Sequence, residues 1–146
     1  MSLDFFLGLF PQLLHGTWIT LQILFLSGAI GNVLAIGVAL ARVSRNPVLN
    51  TTSYFYTLLM RGTPLLVQIY LLYYGLGSIF PHIPAIRHSF LWPYLRDGFW
   101  YGVVALSLNT AGYTGEILRG GILAVPHGEI EAARAFGMSK CWCCAA

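Results

Sequence analysis

From Thr17 to Ala41 the chain runs for 25 residues without a charge. At about 1.5 Å per residue, a helix over that run is roughly 37 Å long, enough to cross a hydrocarbon core of about 30 Å with tilt. Arg42 and Arg45 follow at once, and Pro47 ends the element. Within it, Ser27, Gly31 and Ala35 recur every four residues, a small-side-chain stripe that lets a second helix approach closely.

The rest of the chain suits the same solvent. Of 146 residues, 57% are hydrophobic and 9% charged, with a mean hydropathy of +0.70. Soluble domains carry about 25% charged residues, because a water-facing surface needs them. The net charge of +3 is small and its cations are scattered, so a nucleic-acid partner has no support. Sixteen glycines, mostly inside apolar runs, fit closely packed membrane helices. No basic n-region leads to an A-x-A-like site, so a cleaved signal peptide is not expected.

Two further spans are expected after 17–41. One covers 54–80 and is interrupted at Arg61-Gly62-Thr63-Pro64, where proline removes a backbone donor and forces a kink or break. Residues 81–98 are rich in proline and polar groups and include Trp92 and Tyr94, so they read as an extramembrane loop with an interfacial aromatic belt. The last span covers 99–118, flawed by Asn109, Thr110 and Glu116. Arg42, Arg45, Arg119, Arg134 and Lys140 lie on one side of these spans, against Arg87 and Arg96 on the other. That bias places residues 1–16 outside as an extracytoplasmic segment, and residues from 119 onward in the cytoplasm.

No phosphate-binding loop is present, and no nucleophile, histidine and acid stand at a recognised spacing. Catalysis is therefore not expected, nor is a cofactor. The three cysteines, Cys141, Cys143 and Cys144, sit in the tail with no second ligand cluster nearby. An incidental tail is favoured there over a metal site or a palmitoylated cysteine.

The segment Gly128-Glu129-Ile130-Glu131-Ala132-Ala133-Arg134-Ala135-Phe136-Gly137 follows Pro126 and predicts a short helix. Its acidic residues lie at the positive dipole end, and Ile130, Ala133 and Gly137 share a face beside Phe136. This segment resembles the EAA loop of bacterial ABC importer permeases, here Glu131-Ala132-Ala133 with Gly137 four residues on. Upstream, Arg61-Gly62-Thr63-Pro64-Leu65-Leu66-Val67-Gln68 is similar to the RGTPLLVQ signature of the polar amino-acid subfamily. The stretch from Asn109-Thr110-Ala111-Gly112-Tyr113 through Glu116-Ile117-Leu118-Arg119-Gly120-Gly121 is similar to that subfamily's NTAxYxxEIxRGGI motif. The three occur in family order over roughly residues 17–140.

The resemblance implies an all-α integral membrane bundle with the type I ABC importer permease fold, holding about three of the usual five spans. It implies a permease for polar amino acids, basic ones among them, or opines, in the bacterial inner membrane. Partners would be a dimer of ATP-binding subunits, a second permease, an external amino-acid-binding protein and the bilayer. Gly128, Glu131, Ala132, Ala133 and Gly137 would couple to the ATPase. Arg61, Thr63, Pro64, Gln68, Asn109, Tyr113 and Glu116 are candidates for the translocation pathway or its gate. For several of these a plainer role competes. Arg61 could snorkel at a span end, Glu116 could pair with Arg119 or Arg61, and Asn109 and Gln68 could bond between helices.

The family continues past this motif with an I-x-LP element and about two more spans, whereas residues 141–146 resemble no part of it. A frameshifted or truncated gene, or a sequence ending at a contig edge, would explain that ending, and transport by this chain alone is not expected. Two rivals stand beside that reading: a three-span remnant acting only through interactions, and a membrane enzyme using His82, His88 and the cysteines around a metal.

Overall fold

The computed structural model of the chain describes residues 3–90 and 92–137, and every element among them is helical. In order these are α1 (Leu3–Val43), α2 (Pro47–Gly62), α3 (Leu65–Tyr70), a π-helical turn (Leu71–Leu76), α4 (Gly77–Ile79) and a 3-10 turn (Phe80–His82). Then come α5 (Pro84–Arg87), α6 (Trp92–Arg96), α7 (Gly98–Ala124) and α8 (His127–Ala135). The tail at 141–146 lies outside the described residues.

α1 starts well before the charge-free run. Its helix extends back to Leu3 through Pro11, whose ring costs one backbone bond without ending the element. The apolar stretch Leu9–Val43 is long enough to cross a membrane alone, with a mean hydropathy of 2.2 in its best window. Pro47 stops nothing: it occupies the first turn of α2, where its missing N–H is no loss, and Asn46 caps that helix by accepting from Val48 N at 3.0 Å.

The core is the contact of α1 with α7. Ser27, Ala35 and Ala39 are buried, as are Val103, Ala105, Ser107 and Ala111 on α7. A Cβ added at Gly31 would lie 2.8 Å from Thr110 Cβ, and one at Gly115 would lie 2.8 Å from Val38 Cγ1. The small-residue stripe thus faces α7, and the two backbones approach through it. Gly31 lies near Ser107 and Thr110, Ala35 and Val38 near Gly115, and Arg42 near Glu116. Both numbers rise together, so the helices run parallel. The segment from α3 to α4 runs the other way: Gln68 meets Asn109, while Tyr73 and Gly77 meet Tyr101.

Two expected spans take a different form. In place of a single interrupted element over 54–80, α2 begins at Pro47, and the following Leu65–His82 segment is bent from it by 107°. α7 extends six residues beyond 118 and has the length to cross, yet it lacks the apolarity of α1. Asn109, Glu116 and Arg119 all lower it, and Asn109 and Glu116 are turned toward other helices. Its N-terminus is fixed by Asp97, which accepts from Phe99 N at 3.0 Å. Within the 81–98 loop, α5 and α6 supply short helical turns.

Candidate functional site

The break after α2 begins with Pro64. In a continuous helix, the N–H of residue 64 would bond the carbonyl of Met60; proline has none. Proline also pushes its predecessor out of the α region, and Thr63 is extended at φ −114° and ψ 141°. Other donors take up the orphaned Met60 carbonyl. Gln68 Nε2 donates to it at 2.9 Å and Asn109 Nδ2 at 3.2 Å. Gln68 Nε2 also reaches Thr63 O at 3.2 Å and Thr63 Oγ1 at 2.8 Å, while Gln68 Oε1 accepts from Asn109 Nδ2 at 3.2 Å. Thr63 Oγ1 in turn donates to Leu59 O at 2.8 Å. Thr63, Pro64, Gln68 and Asn109, named from two separate motifs, therefore form one seam that repairs the broken helix and ties it to α7. Gly112 completes the approach, since a Cβ there would lie 2.8 Å from Met60 Cβ. Tyr56 adds a bond from its hydroxyl to Leu108 O at 2.7 Å.

Below the seam lies a charged cluster. Arg42 Nε donates to Glu116 Oε1 at 2.7 Å, and Arg119 NH1 donates to Glu116 Oε2 at 3.4 Å. The Arg42 and Glu116 side chains are only 9% and 15% exposed, so this pair is held away from water. Arg42 NH1 also donates to Asn50 Oδ1 at 2.8 Å, and its guanidinium lies 5.0 Å from the Tyr54 ring centroid. Of the two partners expected for Glu116, Arg119 is present and Arg61 is not. Arg61 instead stands 5.7 Å from the Tyr113 ring centroid, and Tyr113 Oη donates to the Arg61 carbonyl at 3.4 Å. Sequence reasoning missed Arg42 and Asn50. The signal was there: an arginine one turn from the end of an apolar span is the nearest cation for a carboxylate in another span. Arg42, Arg61, Tyr113 and Glu116 line a cavity of about 460 Å³ with Tyr54, Thr57, Leu58 and Gly62.

α8 stands apart from both. Glu129 lies in its first turn, with Gly128, Glu131, Ala132 and Ala133 along it. Ile130 and Ala133 are half-buried and Phe136, just past the helix, is 88% exposed, so the apolar face is only partly covered. Gly137 does not share that face. The helix ends at Ala135, and Gly137 takes φ +80°, a left-handed conformation that glycine adopts without strain at a helix C-terminus. Its role here is to end the helix and turn the chain.

Among the described residues, no three His, Cys, Asp or Glu side chains converge as metal ligands. His82 Nδ1 is engaged with Ser78 O at 2.8 Å. A separate cavity of about 510 Å³ opens at the other end of α7, beside Tyr73, Tyr101, Trp92, Arg87 and Arg96.

Residues 31–142 match the family described as "Binding-protein-dependent transport system inner membrane component". The chain is 54% identical over 131 residues to the octopine transport system permease protein OccM of Rhizobium radiobacter. It is 45% identical over 125 residues to the histidine/lysine/arginine/ornithine transport system permease protein HisM of Escherichia coli strain K12. These matches cover 90% and 85% of this chain but 52% and 51% of the relatives, so it spans about half their length. A solved structure described as an amino acid ABC transporter with histidines superposes with a TM-score of 0.76 at 34% identity, covering 98% of this chain and 61% of that one. A broken helix stitched by the two signature motifs and an all-helical fold shared with that transporter thus lead to one assignment: the chain belongs to the family of inner membrane components of binding-protein-dependent transport systems.

Proposed function

We propose that the chain acts as the permease subunit of an ATP-driven importer for polar amino acids, basic ones among them, or opines. The observation that carries this reading is α8, a short helix that leaves Phe136 and half of its apolar face open at the far end of α7. A rigid helix transmits displacement only while seated in a groove, so an open apolar face on a short helix calls for a partner. The partner proposed is a separate ATP-binding subunit, whose closure on nucleotide would rock α7 and α1 together. Glu131, Ala132 and Ala133 would seat in its groove, and Gly137 would end the helix so that the groove can close around it. A second permease and an external binding protein complete the proposed assembly, with the N-terminus outside and α8 in the cytoplasm. The proposed substrate class is supported by likeness to the octopine and histidine/lysine/arginine/ornithine systems of the relatives.

The test is co-expression with the ATP-binding subunit of an octopine importer, followed by affinity capture. Capture by the unchanged chain, and its loss in Phe136→Asp and Gly137→Leu, is the expected result. A chain that captures no ATP-binding subunit, or whose capture survives both substitutions, removes the basis for the proposal.

A further inference from the structure

We propose that the cavity between α1, α2 and α7 is an anion pocket, occupied by the phosphate headgroup of an anionic phospholipid. The charge count comes first. Arg42, Arg61 and Arg119 gather around Glu116, so three positive charges meet one negative and two remain in excess. Arg42 and Arg119 occupy the two carboxylate oxygens. Arg61 has no ion pair among the described residues, and its guanidinium shares the cavity wall with Arg42. Excess positive charge beside hydrocarbon is costly, and an anion in the cavity would offset it.

Three features of the site select a lipid phosphate. A volume of about 460 Å³ accommodates a headgroup but not a whole lipid. Leu58 lines the cavity while remaining 53% exposed, which gives acyl chains an apolar rim to lie against. Finally, the Arg61 guanidinium and the Tyr54 phenol offer donors that a phosphodiester accepts, on a chain whose family resides in the membrane. The proposal needs membrane insertion and not transport, so its failure would leave the importer reading untouched.

The experiment uses the full chain purified in a neutral maltoside detergent. It is mixed with phosphatidylglycerol or phosphatidylcholine of identical acyl chains, and the retained lipid is counted by native mass spectrometry. At about fivefold per excess charge, phosphatidylglycerol is expected to be preferred roughly twenty- to thirtyfold. Arg61→Gln should cut that preference about fivefold, and Arg61→Lys should restore most of it. Arg87→Gln, in the other cavity, should change nothing. Far-UV circular dichroism and elution volume identify any variant that fails to fold, and the lysine variant then carries the comparison. Equal retention of the two lipids, or equal losses in Arg61→Gln and Arg87→Gln, would overturn the pocket. Displacement of phosphatidylglycerol by millimolar inorganic phosphate would overturn the lipid as occupant, whereas persistence of bound lipid supports it.

Discussion

Replacing Gln68 with methionine keeps the length of the side chain and removes its amide. The structure gives that amide three acceptors, Met60 O, Thr63 O and Thr63 Oγ1, and one donor, Asn109 Nδ2. Two hydrogens cannot serve three acceptors independently, so about three of these four contacts count fully. Hydrogen bonds between membrane helices average about 0.6 kcal/mol and reach about 1.7 kcal/mol. Loss of three comes to roughly 2 kcal/mol. Met60 O would keep only the longer bond from Asn109. The same argument predicts partial rescue: Pro64→Ala returns an N–H at the position that should serve Met60 O, so in that background the Gln68→Met cost should fall below about 1 kcal/mol. Reversible unfolding by sodium dodecyl sulfate in mixed micelles, followed by far-UV circular dichroism, measures both. Ser78→Ala is the control, because it loses only an exposed bond to Gly75 O, three residues back in the chain. If Gln68→Met costs no more than Ser78→Ala, or if Pro64→Ala leaves its cost unchanged, the seam is not what holds the break together.

Glu116→Gln should destabilise the chain by about 3 kcal/mol in the same assay, because it strands the Arg42 guanidinium at 9% exposure; a loss below about 1 kcal/mol would contradict the buried pair. Gly115→Val should cost about 1–3 kcal/mol by forcing α1 and α7 apart, whereas Gly102→Ala, with open space at its Cβ, should change stability by less than about 1 kcal/mol. Asp97→Ala should lose about 1 kcal/mol through the cap of α7 and slow nothing else, which thermal unfolding checks. Gly137→Ala should cost about 1–2 kcal/mol of local helix-end order at φ +80°, read as faster amide exchange in the last turn of α8.

A helix able to cross a membrane could be read from a single run, Thr17 to Ala41, whereas the permease fold came only with the resemblance carried by the three motifs. The seam was legible as residue names but not as a unit. Pro64 marks the Met60 carbonyl as orphaned, but Gln68 and Asn109 are 41 positions apart and nothing local says that both fill it. Pro47 shows the opposite difficulty, because one residue type both ends helices and begins them; only the Asn46 cap decides which. Gly137 was placed on a helical face by spacing alone, yet spacing carries no information on where a helix stops, and the left-handed turn ends it first. Arg42 escaped notice because a terminal cation reads as a boundary marker until its partner on α7 is seen.

The π-helical turn at Leu71–Leu76 settles a matter of rotational phase. Gln68 and Gly77 are nine residues apart, about two and a half turns of regular α-helix, which would aim them in opposite directions. Wider winding through those six residues holds back the rotation, so that one stripe of the segment touches α7 at Asn109 and again at Tyr101. Tightening that turn to ordinary α-helix would swing Gly77 and its neighbours toward lipid while the seam stayed put. The turn is thus where this segment could twist without its lower half letting go.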